Sequence, residues 1–107
     1  LNQKIQAGGT LLQSRIWAEI ENEYTSLSAL QQAIIRVMSV QHGQFSPFSA
    51  SSMAEYGAVA QGLSTGSIQT ALDALRERGI VWKESRGAYE LEDESWNTWL
   101  KMKNIVE

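Results

Sequence analysis

The chain has no cysteine and only one histidine among its 107 residues. The lack of cysteine excludes thiol catalysis, disulfide scaffolds and cysteine–zinc sites, and a single histidine cannot form a histidine-based metal site. No apolar run approaches the roughly 18 residues that a membrane span needs, and no signal-peptide pattern is present. The sequence therefore predicts a cytoplasmic protein without a membrane partner.

Catalytic motifs are also missing. The serines have no base at an informative spacing, no G-x-S-x-G run occurs, and residues 62–67 lack the lysine of a phosphate-binding loop. The acidic run Glu92, Asp93 and Glu94 is better explained as the start of a helix than as a metal or acid–base site. We therefore predict that the chain itself is not an enzyme and holds no cofactor or metal.

Positive charge is scarce, since the formal net charge of the whole chain is −3. Residues 64–79 and residues 80–91 each contain two acidic and two basic side chains, so both segments are formally neutral. Phosphate contacts need clustered lysine and arginine, and this balance therefore argues against strong nucleic-acid binding.

The stretch from residue 63 to residue 91 organises the chain. An apolar stripe at helical spacing predicts a helix, which Ser64 or Thr65 would cap. Gly79 stands where a left-handed residue would end this helix, with Leu75 and Ile80 as the apolar pair of a Schellman motif. Two β-prone runs, residues 80–82 and 88–91, then predict a hairpin. A helix, a glycine stop and a hairpin are typical of the third helix and wing of a winged helix-turn-helix domain.

Further helices are predicted on both sides of this stretch. One covers residues 10–24, a second begins at the capping box of Ser28 and Gln31, and a short third one begins after Ser49 or Ser52. The last helix follows the acidic run and buries two tryptophans. The short third helix and the helix after Ser64 make the helix-turn-helix arrangement, in which the later helix would read DNA.

The predicted fold class is therefore α+β and mostly helical, a winged helix-turn-helix with a two-stranded wing and an N-terminal helical extension. Residues 1–24 would be the extension or a linker from an upstream module, and residues 25–107 the winged-helix domain. The predicted core contains Ile16, Leu30, Ile34, Val37, Met38, Leu72, Leu75, Ile80, Tyr89 and Trp99.

Three runs, LSTGSIQTALDALRERGIV, GAYEL and LEDESWNTWLK, carry a resemblance. They are similar to the C-terminal winged-helix domain that follows the nucleotidase module in a group of prokaryotic AAA+/STAND-type ATPases. The matching positions are Ala71, Leu72, Leu75, Gly79, Ile80, Val81, Tyr89, Leu91, Asp93, Trp99 and Leu100. The resemblance implies that ATP and Mg²⁺ belong to a missing upstream module, and that the winged helix binds double-stranded DNA or regulates its own upstream ATPase module.

Residues that would contact DNA lie on the open side of the helix after Ser64 and in the wing. Gln69 could pair with an adenine edge, and hydroxyl groups in the first turns of the helix could bind phosphates. Lys83 and Arg86 are the wing cations available for the backbone. The full candidate set is Thr65, Ser67, Gln69, Thr70, Asp73, Arg76, Lys83 and Arg86.

Two alternatives remain open at this stage. The domain could be a protein-interaction winged helix with no nucleic-acid role. It could also be a dimeric transcription regulator, a homodimer joined through residues 10–24 by Leu12, Ile16 and Ile20.

Overall fold

In the computed structural model, which describes residues 15–41, 45–83 and 88–106, five helices accompany a two-stranded antiparallel sheet. The described part of helix α1 covers residues 15–26. The other elements are α2 (Ala29–Val40), α3 (Ala50–Gly57), α4 (Thr65–Glu77), β1 (Val81–Lys83), β2 (Tyr89–Leu91) and α5 (Ser95–Met102). The prediction of an α+β, mostly helical fold is confirmed.

Serine side chains fix where three of the helices begin. Ser28 and Gln31 form the predicted capping box at the start of α2, where each side chain accepts a hydrogen bond from the backbone N–H of the other. Ser64 caps α4 in the same reciprocal way with Ser67. Ser49 caps α3, because its hydroxyl oxygen accepts the backbone N–H of Ser52 at 3.3 Å. Ser52 is not the cap, since it is buried and donates its hydroxyl hydrogen to the Ser46 carbonyl at 2.7 Å.

Helix α4 ends in the predicted Schellman motif. The N–H of Gly79 donates to the carbonyl of Arg76 at 3.0 Å, and the N–H of Ile80 donates to the carbonyl of Leu75 at 3.1 Å. Gly79 has a φ of +75°, a left-handed conformation that glycine adopts without a steric penalty. The stop turns the chain directly into β1, which pairs with β2 so that Trp82 lies opposite Glu90.

The core surrounds helix α2, which contacts α3, α4, β2 and α5. Nearly all of the predicted core residues are buried, and Leu30 is partly buried at the margin of the cluster. The prediction for Ile16 is wrong, because its side chain is 42% exposed. Ile16 lies one turn before Ile20 on α1, and along this helix Ile20 is the first residue buried in the described core.

The described part of α1 packs against the rest of the fold. Ile20 and Tyr24 are buried, and the Tyr24 ring lies 5.3 Å from the Trp99 ring of α5 between centroids. Arg78, just after α4, donates to Glu23 at 2.7 Å and to the Ser26 hydroxyl at 2.8 Å. Ile20 therefore faces the core of its own chain. The division of the chain at residue 24 stays a prediction.

Tyr56 of α3 is fully buried, and its hydroxyl has no hydrogen-bond partner among the described residues. Burial raises the pKa of Tyr56 to about 12, and the nearby Ser52 side chain offsets only part of this effect. Because the ordinary pKa of tyrosine is about 10, the folded state keeps its proton over a pH range in which the unfolded state loses it.

The stability contribution of the neutral Tyr56 is therefore complete below about pH 10 and is lost as the pH rises toward about 12. We expect the free energy of unfolding of the wild type to fall, relative to that of Tyr56→Phe, by about 1.4 kcal/mol between about pH 8 and about pH 11. Urea unfolding of both proteins at the two pH values measures this difference. If the free energy of unfolding fell by the same amount in both proteins, the pKa of Tyr56 would not be raised in the folded state.

Candidate macromolecular interface on helix α4 and strand β1

The open side of α4 is defined by what the helix buries. Ile68, Ala71, Leu72 and Leu75 face the core as predicted, so the polar residues of the helix lie around the remaining surface. The cap at Ser64 and the stop at Gly79 hold this surface in place at both ends. The candidate residues of the helix, from Thr65 to Arg76, all belong to this solvent-facing or half-buried surface.

The hydroxyl groups of the first turns are already used within the helix. The Ser67 hydroxyl accepts the Ser64 N–H at 3.0 Å and donates to the Ser64 carbonyl at 2.9 Å. Thr70 donates its hydroxyl hydrogen to the Gly66 carbonyl at 2.9 Å. Phosphate oxygens need donors, and each of these hydroxyls has only one hydrogen to give. Thr65 is exposed at the start of α4, and its hydroxyl makes no such hydrogen bond in the described structure.

Gln69 is held by two neighbours. Its side-chain N–H₂ group donates to the Asp73 carboxylate at 3.0 Å and to the Tyr89 hydroxyl at 3.2 Å. Bidentate pairing with adenine uses the amide oxygen and one amide hydrogen, so reading a base would compete with one of these two bonds. The structure thus brings Gln69 and Asp73 together on α4, and Gln69 also links α4 to Tyr89 of β2.

An open groove runs between the C-terminal half of α4 and β1. Its charged lining consists of Asp73, Arg76, Glu77, Lys83 and Glu92, which sum to a formal charge of −1. The Lys83 ammonium lies 5.5 Å from the centroid of the Tyr89 ring, close enough for a cation–π contact. The structure therefore gathers three of the candidate residues, Asp73, Arg76 and Lys83, in a groove of mixed charge.

Arg78 and Arg86 are the two arginines that follow Arg76 in the chain. Arg78 is the other cation at the end of α4, and its ion pair with Glu23 turns it toward α1. Arg86, a candidate for the DNA backbone, lies outside the described residues.

Trp82 is the residue that the sequence reasoning missed. Its side chain lines the groove and is 41% exposed, while the preceding Val81 is buried. Successive side chains of a strand point to opposite faces, so the alternation of β1 could have placed Trp82 outside. The apolar run of Ile80, Val81 and Trp82, which begins one residue before β1, hid that signal.

Comparison of the chain with protein-family models, curated proteins and solved structures finds no match. The function must therefore be argued from the surface itself.

Metal-binding clusters and membrane-spanning helices are both absent from the part of the chain that the structure describes. No group of three or more acidic or histidine side chains among those residues could hold a metal ion. Across residues 15–41, 45–83 and 88–106, no helix is long and apolar enough to cross a membrane.

Proposed function

We propose that the chain is a non-catalytic winged-helix module that acts by binding protein, and that its partner is the nucleotidase module of an ATPase. In this proposal α2, α3 and α4 are the three helices of the helix-turn-helix domain, and β1 and β2 form its wing. The order of these elements supports it, as does the resemblance to the domains that follow AAA+/STAND-type nucleotidase modules. ATP and Mg²⁺ would then be bound by the partner module.

The observation that carries the protein-binding proposal is the exposed Trp82 within the α4–β1 groove. Tryptophan is enriched among the residues that dominate protein–protein affinity, because it can bury a large apolar area in a partner. Such anchors are surrounded by polar residues at the rim, and here Arg76, Lys83 and three carboxylates occupy the lining of the groove. A groove with charges of both signs suits a protein surface better than a polyanion.

DNA binding is the second candidate. The observation in its favour is that Arg76 and Lys83 line the same groove, where a recognition helix and a wing would both reach a duplex. The formal charge of the groove and the internal hydrogen bonds of Ser67, Gln69 and Thr70 weigh against it. Releasing those side chains would cost about 1 kcal/mol for each hydrogen bond.

The two candidates can be separated by titrating fluorescein-labelled duplex DNA of generic sequence with the chain and following anisotropy. We expect no binding with a Kd below about 100 µM at physiological salt, because non-specific DNA-binding proteins reach about 10⁻⁴ to 10⁻⁶ M there. The double variant Arg76→Gln/Lys83→Gln serves as the matched comparison.

Two results together would favour DNA binding over the proposed binding of a protein partner. The wild type would bind the duplex with an affinity that falls steeply between about 50 and about 200 mM salt. The double variant would lose that affinity while retaining its circular dichroism spectrum.

A further inference from the structure

A second groove separates α1 from the junction of β2 and α5. Its apolar floor consists of Ile16, Ile20, Ile80 and Trp96, and its acidic rim of Glu19, Glu23, Glu92 and Asp93. Ile16 is the exposed member of the floor, whereas the other three are at least 94% buried. We call this surface the α1 groove.

The α1 groove is built by contacts that fix helix α1 beside the body of the domain. The rings of Tyr24 and Trp99 anchor one side of the helix, and the bonds from Arg78 to Glu23 and Ser26 anchor its other side. Gly79 lines the groove without a side chain, and a Cβ atom added there would meet nothing within 4 Å. The space beside Gly79 is therefore open to a ligand.

Electrostatics distinguish this groove from the neighbouring α4–β1 groove. Four carboxylates and the guanidinium of Arg78 give it a formal charge of −3, against −1 for the α4–β1 groove. Within the described residues these carboxylates do not converge on a point that could hold a metal ion. A row of separated negative charges beside an exposed isoleucine complements a partner whose positive charges are also spread along its length.

We propose that the α1 groove binds a basic amphipathic segment of a partner protein, a helix with lysine or arginine flanking an apolar stripe. The apolar stripe covers Ile16, and the basic side chains meet Glu19, Glu92 and Asp93 on the rim. Helices of this kind bind grooves through apolar anchors spaced at i, i+3 or i+4 and i+7. The inference does not depend on the proposed role of the α4–β1 groove, because the two grooves share only Gly79 and Glu92.

The test uses a fluorescein-labelled helical peptide of about 15 residues, with leucine on one face and lysine elsewhere, in an anisotropy titration. We expect a Kd of about 10–100 µM at about 50 mM salt. The variant Glu19→Gln/Glu92→Gln/Asp93→Asn removes three charges without changing side-chain size and should weaken binding at least about tenfold. Ile16→Ser should weaken it at least about threefold at low and at physiological salt, since the apolar contact is not screened.

Two controls decide the outcome. Glu21→Gln/Glu55→Gln/Glu90→Gln removes the same charge outside both grooves and should leave the affinity within about twofold. A scrambled peptide of identical composition should bind at least about fivefold more weakly, because its leucines no longer share one face. The inference is overturned if the wild type does not bind the peptide, if the control variant loses as much affinity as the groove variant, or if the scrambled peptide binds equally well. Circular dichroism of each variant confirms that the fold is retained.

Discussion

Replacing Trp99 with alanine is expected to lower the free energy of unfolding by about 3–5 kcal/mol. Trp99 is 2% exposed and joins α5 to α1 through its contact with Tyr24. Its indole N–H has no hydrogen-bond partner among the described residues, so the loss would come from apolar packing and from the cavity left behind. Unfolding in urea, followed by circular dichroism rather than by tryptophan fluorescence, measures the effect.

Trp82 supplies the matched control for this substitution, because the same side chain is 41% exposed there. Trp82→Ala should cost about 1 kcal/mol or less. The milder variant Trp99→Phe should fall between the two, which keeps the comparison informative if Trp99→Ala fails to fold. Equal losses for Trp82→Ala and Trp99→Ala would contradict the packing described for α1 and α5.

Trp82→Ala is expected to have its large effect on binding instead. If the α4–β1 groove docks on the nucleotidase module, removing the indole should weaken that association at least about tenfold, as is typical of tryptophan anchors at protein interfaces. Met102→Ala is the control, since it removes an apolar side chain that is 51% exposed on α5. Titration of the module with labelled chain and with both variants gives the comparison. A Met102→Ala variant that loses as much affinity as Trp82→Ala would place the contact elsewhere.

Local features of this fold could be predicted because their signals lie within a few residues. The capping box of Ser28 and Gln31 is one such feature, and the glycine stop at Gly79 is another, with its two backbone bonds formed as the spacing requires. The apolar stripe of α4 likewise depends only on helical period.

Features that depend on distant residues could not be predicted in the same way. Tyr89 lies 20 residues from Gln69 in the sequence, yet its hydroxyl accepts a hydrogen bond from the Gln69 amide, the group that the DNA hypothesis assigned to an adenine edge. The bond between Arg78 and Glu23 joins residues 55 positions apart, and it creates one wall of the α1 groove. Ile16 shows the limit of periodicity, which marks the apolar side of a helix but not how far along the helix the core extends.

The central claim is that the α4–β1 groove binds protein, and the most direct test is a pair of titrations with the same labelled chain. One adds the proposed partner, a nucleotidase module of an AAA+/STAND-type ATPase, and the other adds generic duplex DNA at the same salt. We expect micromolar association with the module, weakened at least about tenfold in Trp82→Ala, and no association with the duplex below about 100 µM. Salt-sensitive binding to DNA together with no binding to the module would contradict it.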